Sequence, residues 1–245
     1  MTDGHRVWLV DFAAFFQCFR YNRVPMTAPR IALVHAMPVA IEPTVSAFKE
    51  LWPAARVTNI LDDALAPDLA AAGSITPAMN ERFITIARYC ESCGADAILF
   101  TCSAFGTAIE AAKAAVKVPV LKPNEAMMEE ALAAGSNVAV LTTFEPSIPS
   151  LKRELEDLAS SRGIQLKLRT RAIPAAIAAL QQGRSAEHDS LIAAAAAEMG
   201  LCDALVLGQF SMARAAPGIP ARPGRKVLTS PHSAVTRLKQ IFAAR

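Results

Sequence analysis

Cys102 is the residue whose type and position are best suited to chemistry. It stands between the apolar run 98–100, which predicts a buried strand, and the alanine-rich stretch 104–116, which predicts a helix. Exposed N–H groups and the dipole at a helix N-terminus favour a thiolate and also a bound carboxylate. A thiol at such a junction can act as a nucleophile or as an acid/base group. The alternative is a cysteine that only packs at the end of a strand.

The chain contains an internal repeat that gives Cys102 a counterpart, Gln209, 107 positions further on. Three apolar runs match at the same shift: 31–34 with 138–141, 95–100 with 202–207, and 120–121 with 227–228. Self-similarity at a fixed separation indicates two copies of one structural unit. An amide has no useful pKa, so Gln209 can hold substrate oxygens but cannot serve as a general acid or base.

Each copy alternates short apolar runs with alanine-rich helical stretches, which is typical of a parallel α/β sheet. The predicted strands are 30–35, 56–61, 96–101 and 118–121, then 137–142, 163–169, 203–208 and 226–229. The predicted helices are 43–51, 77–92, 104–116, 124–134, 147–160, 185–199, 211–216 and 233–244.

We therefore predict two similar Rossmann-like (flavodoxin-like) half-domains, each a four-stranded parallel sheet flanked by helices. Pseudo-twofold symmetry would relate them and place the active site in the cleft between them. The predicted boundaries are 30–121 plus 232–245 for the first half-domain and 122–231 for the second.

Ligands of open parallel sheets bind beyond the carboxyl ends of the strands, so we expect the site residues there. Candidates for substrate binding at these ends are Thr101, Ser103, Ala104, Lys122, Thr142, Thr143, Phe210, Ser211 and His232. Cys102, Gln209 and His35 form the candidate catalytic set.

Most of these candidates also have a plainer interpretation. His35 and His232 suit proton transfer near neutral pH, or are simply polar residues at the rim. Lys122 can pair with an anionic substrate or lie in solvent, and Thr142 can bind a carboxylate or cap a turn. For Asn124, at a predicted helix start, capping is a sufficient explanation.

Three stretches resemble the cofactor-independent aspartate/glutamate racemase superfamily, which includes hydantoin racemases, maleate isomerases and arylmalonate decarboxylases. Residues 99–104 (LFTCSA) are similar to its first cysteine motif, and 118–126 (VPVLKPNEA) to the strand and helix start that follow. Residues 205–212 (LVLGQFSM) occupy the place of the second cysteine motif. In that family, two cysteines flank the substrate carbon; one removes the α-proton and the other returns one.

The resemblance implies a racemase or isomerase-type enzyme that uses no metal or organic cofactor. It would act at the carbon alpha to the carboxylate of a small acid, with Cys102 as acid/base or nucleophile. Ser103, Thr142, Gln209 and Ser211 would hold the substrate and its enediolate oxygens.

Because Gln209 replaces the second cysteine, this chain is similar to a divergent single-cysteine member. Single-cysteine relatives include decarboxylases, so a decarboxylase or lyase of the arylmalonate decarboxylase type is one alternative. The other is a non-catalytic protein of this fold that binds small acids.

Composition indicates which partners to expect. The net charge is +3 and the basic residues are scattered, so we expect no nucleic-acid partner. No apolar stretch approaches the roughly 20 residues of a membrane span, and we expect no membrane partner. The expected partner is a small carboxylate substrate. Relatives often dimerise, and by analogy we expect a homodimer.

Five cysteines without regular spacing argue against a disulfide framework and predict a reducing, cytoplasmic location. Cys90 and Cys93 form a C-x-x-C without a second pair, so we predict no metal site. Residues 1–29 lie outside the repeat. We interpret Met1 to Pro25 as an appendage and Met26 as the functional start.

Overall fold

Two four-stranded parallel sheets, one from each copy of the repeat, form the frame of the molecule. The structure is a computed structural model that describes residues 28–244, so the interpretation of Met1 to Pro25 concerns residues outside this range. The first sheet has the order β2-β1-β3-β4, with β1 Arg30–His35, β2 Arg56–Leu61, β3 Ala97–Phe100 and β4 Val120–Leu121. The second has the order β6-β5-β7-β8, with β5 Asn137–Thr142, β6 Lys167–Ala172, β7 Ala204–Leu207 and β8 Lys226–Thr229.

The central strands are buried on both faces because helices cover each sheet from both sides. Every residue of β3 and of β7 is buried. The edge strand β6 alternates exposed and half-buried residues instead. The apolar runs that predicted a covered parallel sheet are thus confirmed, and so is the two-fold repetition of the strand order.

Nine α-helices connect the strands of the described chain. They are α1 Ile41–Leu51, α2 Leu65–Ala72, α3 Pro77–Ser92, α4 Gly106–Ala115, α5 Glu125–Ala134, α6 Ile148–Ser161, α7 Pro174–Gln181, α8 Ser185–Glu198 and α9 Ser230–Ala243. Short 3₁₀ helices follow the strand ends at Pro38–Ala40, Ser103–Phe105, Glu145–Ser147 and Phe210–Gly218.

The structure differs from the sequence prediction in three places. The helices α2 and α7 were not predicted. Strand β6 begins at Lys167 rather than at the predicted residue 163, because Gly163 ends α6 with a left-handed φ of 66°. The N–H of Ile164 then closes the helix on the carbonyl of Ala159 at 2.9 Å, a Schellman-type cap.

The last helix of each repeat covers the sheet of the other repeat. Met127 and Ala131 of α5 pack into the core of the second sheet with Val206. Val235 and Leu238 of α9 pack into the core of the first sheet. This exchange joins the two sheets into one framework.

The loops after β1 and β7 lie against each other. The 3₁₀ helix Phe210–Gly218, which follows β7, contacts both Pro38–Ala40 and α1 of the first repeat. The carboxyl ends of β1 and β7 therefore lie close together, and the active-site cleft expected there stays a prediction. Within residues 28–244, none of the helices combines the length and apolar character needed to cross a membrane.

The exchanged helix α9 provides a stability test. Leu238 is fully buried in the core of the first sheet, so we expect Leu238→Ala to lower the free energy of unfolding by about 2–5 kcal/mol. Leu201→Ala is the matched control, because Leu201 is 83% exposed and its truncation changes stability by only about 0.5 kcal/mol. Urea unfolding followed by circular dichroism measures both. Equal losses in the two variants would contradict the packing of α9.

Candidate active site

Cys102 is half-buried at the junction between β3 and the 3₁₀ helix Ser103–Phe105. Its backbone is extended, with φ −119° and ψ 114°, which places the residue just before the first turn of that helix. Burial raises the pKa of the Cys102 thiol above its usual range, and the backbone N–H of Ala104, which donates to the sulfur, offsets part of this rise. The raised pKa favours the protonated thiol at neutral pH.

The loop that carries Cys102 is held by a buried histidine. His35, at the end of β1, is fully buried, and its Nδ1 lies 2.9 Å from Thr101 Oγ1. Its Nε2 lies 3.0 Å from Asn59 Oδ1 on β2. Thr101 Oγ1 also lies within hydrogen-bonding distance (3.3 Å) of the carbonyl of Val34. These bonds join the ends of β2, β1 and β3 directly behind Cys102.

This geometry gives His35 a different role from the proton transfer that the sequence suggested. Both ring nitrogens have protein partners, and no part of the ring is exposed to solvent. Burial lowers the pKa of His35, and the hydrogen bond to Asn59 offsets this only in part, so the ring is neutral near pH 7. His35 and Thr101 thus link the ends of β1 and β3 at the residue before Cys102.

Gln209 forms the corresponding bridge in the second repeat. Its Oε1 accepts the backbone N–H of Thr143 at 2.7 Å and the hydroxyl of Thr143 at 3.1 Å. Its Nε2 donates to Thr142 Oγ1 at 2.6 Å. Both threonines are buried, so their polar groups serve Gln209 and the turn that follows β5. None of the groups that contact the Gln209 amide titrates near neutral pH.

Lys122 and His232 are occupied by other partners. Lys122 Nζ pairs with Glu110 at 2.8 Å. Burial works against its charge, but the hydrogen bond and negative charge of Glu110 raise the pKa of Lys122 overall. His232 Nδ1 lies 2.7 Å from Thr229 Oγ1, and its Nε2 lies 3.2 Å from Glu50 on α1. These contacts explain both side chains without a ligand.

The remaining candidates surround the strand ends. Ser103 is half-buried and Ala104 is exposed beside Cys102, whereas Phe210 and Ser211 are buried where the 3₁₀ helix after Gln209 begins. Among the described residues, no three His, Cys, Asp or Glu side chains come together as a metal site would require.

Sequence reasoning missed two polar residues near these strand ends. Asn59 supports His35 from the edge strand β2, and Asn124 is buried at the start of α5. The capping interpretation of Asn124 is wrong, because its side chain makes no cap bond and instead accepts the hydroxyl of Ser230 at 2.8 Å.

The buried His35 predicts how stability depends on pH. Its folded-state pKa is lowered, so the unfolded chain binds the proton first as the pH falls. His35 then contributes full stability above about pH 6.5, and this contribution decreases at lower pH by at most ~1.4 kcal/mol per pH unit. We expect His35→Gln to flatten the stability profile between about pH 7 and 5, measured by urea unfolding. An unchanged slope in His35→Gln would contradict this assignment.

Comparison with known proteins identifies the family of this chain. The sequence model of the family described as Asp/Glu/Hydantoin racemase matches residues 44–238. No curated protein matches the sequence significantly.

Three solved structures illustrate the likeness. Picrophilus torridus aspartate racemase has a TM-score of 0.67 at 16% identity, over 88% of this chain and 95% of that one. Allantoin racemase from Klebsiella pneumoniae has a TM-score of 0.63 at 19% identity, over 89% of each chain. An unliganded arylmalonate decarboxylase has a TM-score of 0.56 at 16% identity, over 88% of this chain and 93% of that one. At these identities the structures share the fold, and the family match extends over most of the sequence. The chain belongs to the Asp/Glu/hydantoin racemase family.

Proposed function

We propose that this protein is an isomerase-type enzyme that transfers a proton at the carbon alpha to the carboxylate of a small acid. The proton-transfer group is the Cys102 thiol. The observation that carries the proposal is the placement of this thiol: it is half-buried and accepts the N–H of Ala104 at a strand end of the first sheet, and burial raises its pKa. The reaction needs no metal or organic cofactor in this proposal, since the thiol supplies the proton.

The chemistry follows from the local groups. The thiolate form of Cys102 removes the α-proton and becomes the thiol, which leaves an enediolate whose two oxygens carry the developing negative charge. The hydroxyl of Ser103 and the backbone N–H groups at the start of the 3₁₀ helix Ser103–Phe105 are the donors nearest to Cys102 in the chain, and one of them, the N–H of Ala104, already donates to the sulfur. Preorganised donors of this kind stabilise charge that appears only during the reaction. The thiol then protonates the carbon from the face on which it lies.

A second candidate is decarboxylation or a related lyase reaction. Two observations favour it. The raised pKa of Cys102 suits a proton donor better than a base, and a substrate carboxylate nearby raises that pKa further. Decarboxylation makes the enediolate by release of carbon dioxide, so it requires only the donor. Gln209, bound by two threonines, provides no second acid.

Hydrogen–deuterium exchange tests the proposal. The protein is incubated in deuterated buffer with single enantiomers of amino acids and hydantoins, and with maleate and substituted malonates. We expect deuterium at the α-carbon of a product or recovered substrate, and a loss of about 10²-fold or more in Cys102→Ala. Cys93→Ala is the control, because this cysteine is exposed elsewhere on the surface. Undiminished turnover in Cys102→Ala would overturn the proposal, and binding without any exchange would make the protein a small-acid-binding protein.

The amide in place of a second thiol predicts one-sided proton transfer. With a single enantiomer as substrate, we expect exchange to be faster than inversion of configuration, because only one face receives a proton from a side chain. Gln209→Cys introduces a thiol on the second repeat and should raise the ratio of inversion to exchange. Gln209→Asn keeps an amide and should not raise it. Chiral chromatography coupled to mass spectrometry measures both rates, and a wild-type ratio equal to that of Gln209→Cys would contradict one-sided transfer.

A further inference from the structure

Asn124 follows β4 at the carboxyl edge of the first sheet, as Cys102 follows the neighbouring strand β3. Leu99 of β3 pairs with Leu121 of β4. Cys102 lies three residues after Leu99, and Asn124 lies three residues after Leu121. The two residues therefore follow neighbouring strands at the same register position. The sequence repeat places no equivalent amide in the second half, where Pro231 occupies the corresponding position.

The side chain of Asn124 is fixed at the contact between the two repeats. It is 2% exposed, and its Oδ1 accepts the hydroxyl of the fully buried Ser230 at 2.8 Å. Ser230 begins α9, which comes from the second repeat. The bond turns the carboxamide so that its oxygen faces Ser230 and its Nδ2 faces away.

The Nδ2 group of Asn124 is buried and has no hydrogen-bond partner among the described residues. A buried donor without an acceptor costs stability comparable to a lost hydrogen bond, so folded proteins seldom retain one without a reason. The side chain does not cap α5 either, although the residue stands at its N-cap position. Two N–H bonds are therefore available to an acceptor that the protein itself does not provide.

The surroundings favour a negatively charged acceptor. Asn124 stands at the N-terminus of the ten-residue helix α5, where the helix dipole attracts anions. The carboxylate of Glu125, next in the chain, faces Lys113 at 3.6 Å and the backbone N–H of Lys122 at 3.5 Å. Its charge is thus partly balanced by these groups.

We propose that Asn124 binds the substrate, with its Nδ2 donating to a carboxylate oxygen of the small acid on the side where Cys102 lies. The identity of this ligand rests on the proposed function. Ser230 is then a positioning residue that orients the amide. In this proposal, Asn124 after β4 holds the carboxylate, and Cys102 after β3 transfers the proton.

Malonate, the simplest dicarboxylate with a carbon between its carboxyl groups, is a suitable probe. The rate of alkylation of Cys102 by iodoacetamide is measured by peptide mass spectrometry across a malonate titration, which separates Cys102 from the other cysteines. We expect malonate to protect Cys102 in the wild-type protein. The midpoint should rise about tenfold or more in Asn124→Asp and Asn124→Leu, since each loses a hydrogen bond to a charged group. Ser230→Ala keeps the Nδ2 donor and should shift the midpoint about twofold at most.

Two results would overturn this inference: no protection of the wild-type protein by malonate, or the same midpoint in both Asn124 variants as in the wild type. Asn124→Asp is nearly isosteric and can still accept the Ser230 hydroxyl, so it keeps this contact. A second measurement uses the wild-type protein, so it does not depend on the stability of a variant. In protein labelled with ¹⁵N-asparagine, the side-chain NH₂ signal of Asn124 should shift on addition of malonate, and an unchanged signal would also overturn the inference.

These outcomes are separable from those of the proposed function. Protection through Asn124 without any deuterium exchange supports the binding role and overturns the enzyme. Exchange that depends on Cys102 but is indifferent to Asn124 supports the enzyme and overturns the binding role.

Discussion

The exchange of helices between the two repeats is the constraint on which the rest of the structure depends. A four-stranded sheet needs apolar cover on both faces, and each repeat obtains part of this cover from the other one. Met127 on α5 is buried in the second sheet, and Leu238 on α9 is buried in the first. Neither sheet is complete alone. The positions of the strand ends relative to each other are consequently set by core packing, which tolerates little displacement.

This framework lets each repeat use its strand ends for a cross-bridge. In the first repeat the bridge runs from Asn59 through His35 to Thr101, and the thiol of the next residue, Cys102, is not part of it. In the second repeat the bridge is made by Gln209 itself, which binds Thr142 and Thr143. The two equivalent positions of the repeat therefore differ. Cys102 in the first repeat lies outside the hydrogen-bonded bridge, whereas Gln209 in the second repeat forms the bridge itself.

The difference between the bridges explains the chemistry that we propose. In this proposal, a protonated thiol in the first repeat can deliver a proton, while an amide in the second repeat can only hold oxygens or neighbouring loops. Symmetric two-base racemisation requires two titrating groups, and the described contacts of Gln209 contain none. The site therefore suits reactions completed from one face. In the proposed site, the carboxamide of Asn124 would hold the substrate carboxylate so that the same face of the α-carbon is presented to the Cys102 thiol.

Much of this arrangement could be predicted from the sequence. Strands such as β3 and β7 are apolar at every position, and the repeat connects Cys102 with Gln209 directly. The partners of the strand-end side chains could not be predicted in the same way. Asn59 reaches His35 only through the register of β1 with β2, and Asn124 meets Ser230 only because the helices are exchanged.

Helix α7 was also missed. Helices of eight residues are stable through tertiary packing rather than through their own propensity, so its sequence carried little signal.

The central claim is that burial keeps the Cys102 thiol protonated beside the cleft, as a proton donor. Its most direct test is the titration of this thiol by NMR in protein labelled with ¹³C-cysteine, with Cys102→Ala used to assign the signal. The account predicts a pKa above the ordinary cysteine value of about 8.5. A pKa at or below that value would show a thiolate-forming cysteine and would contradict the account.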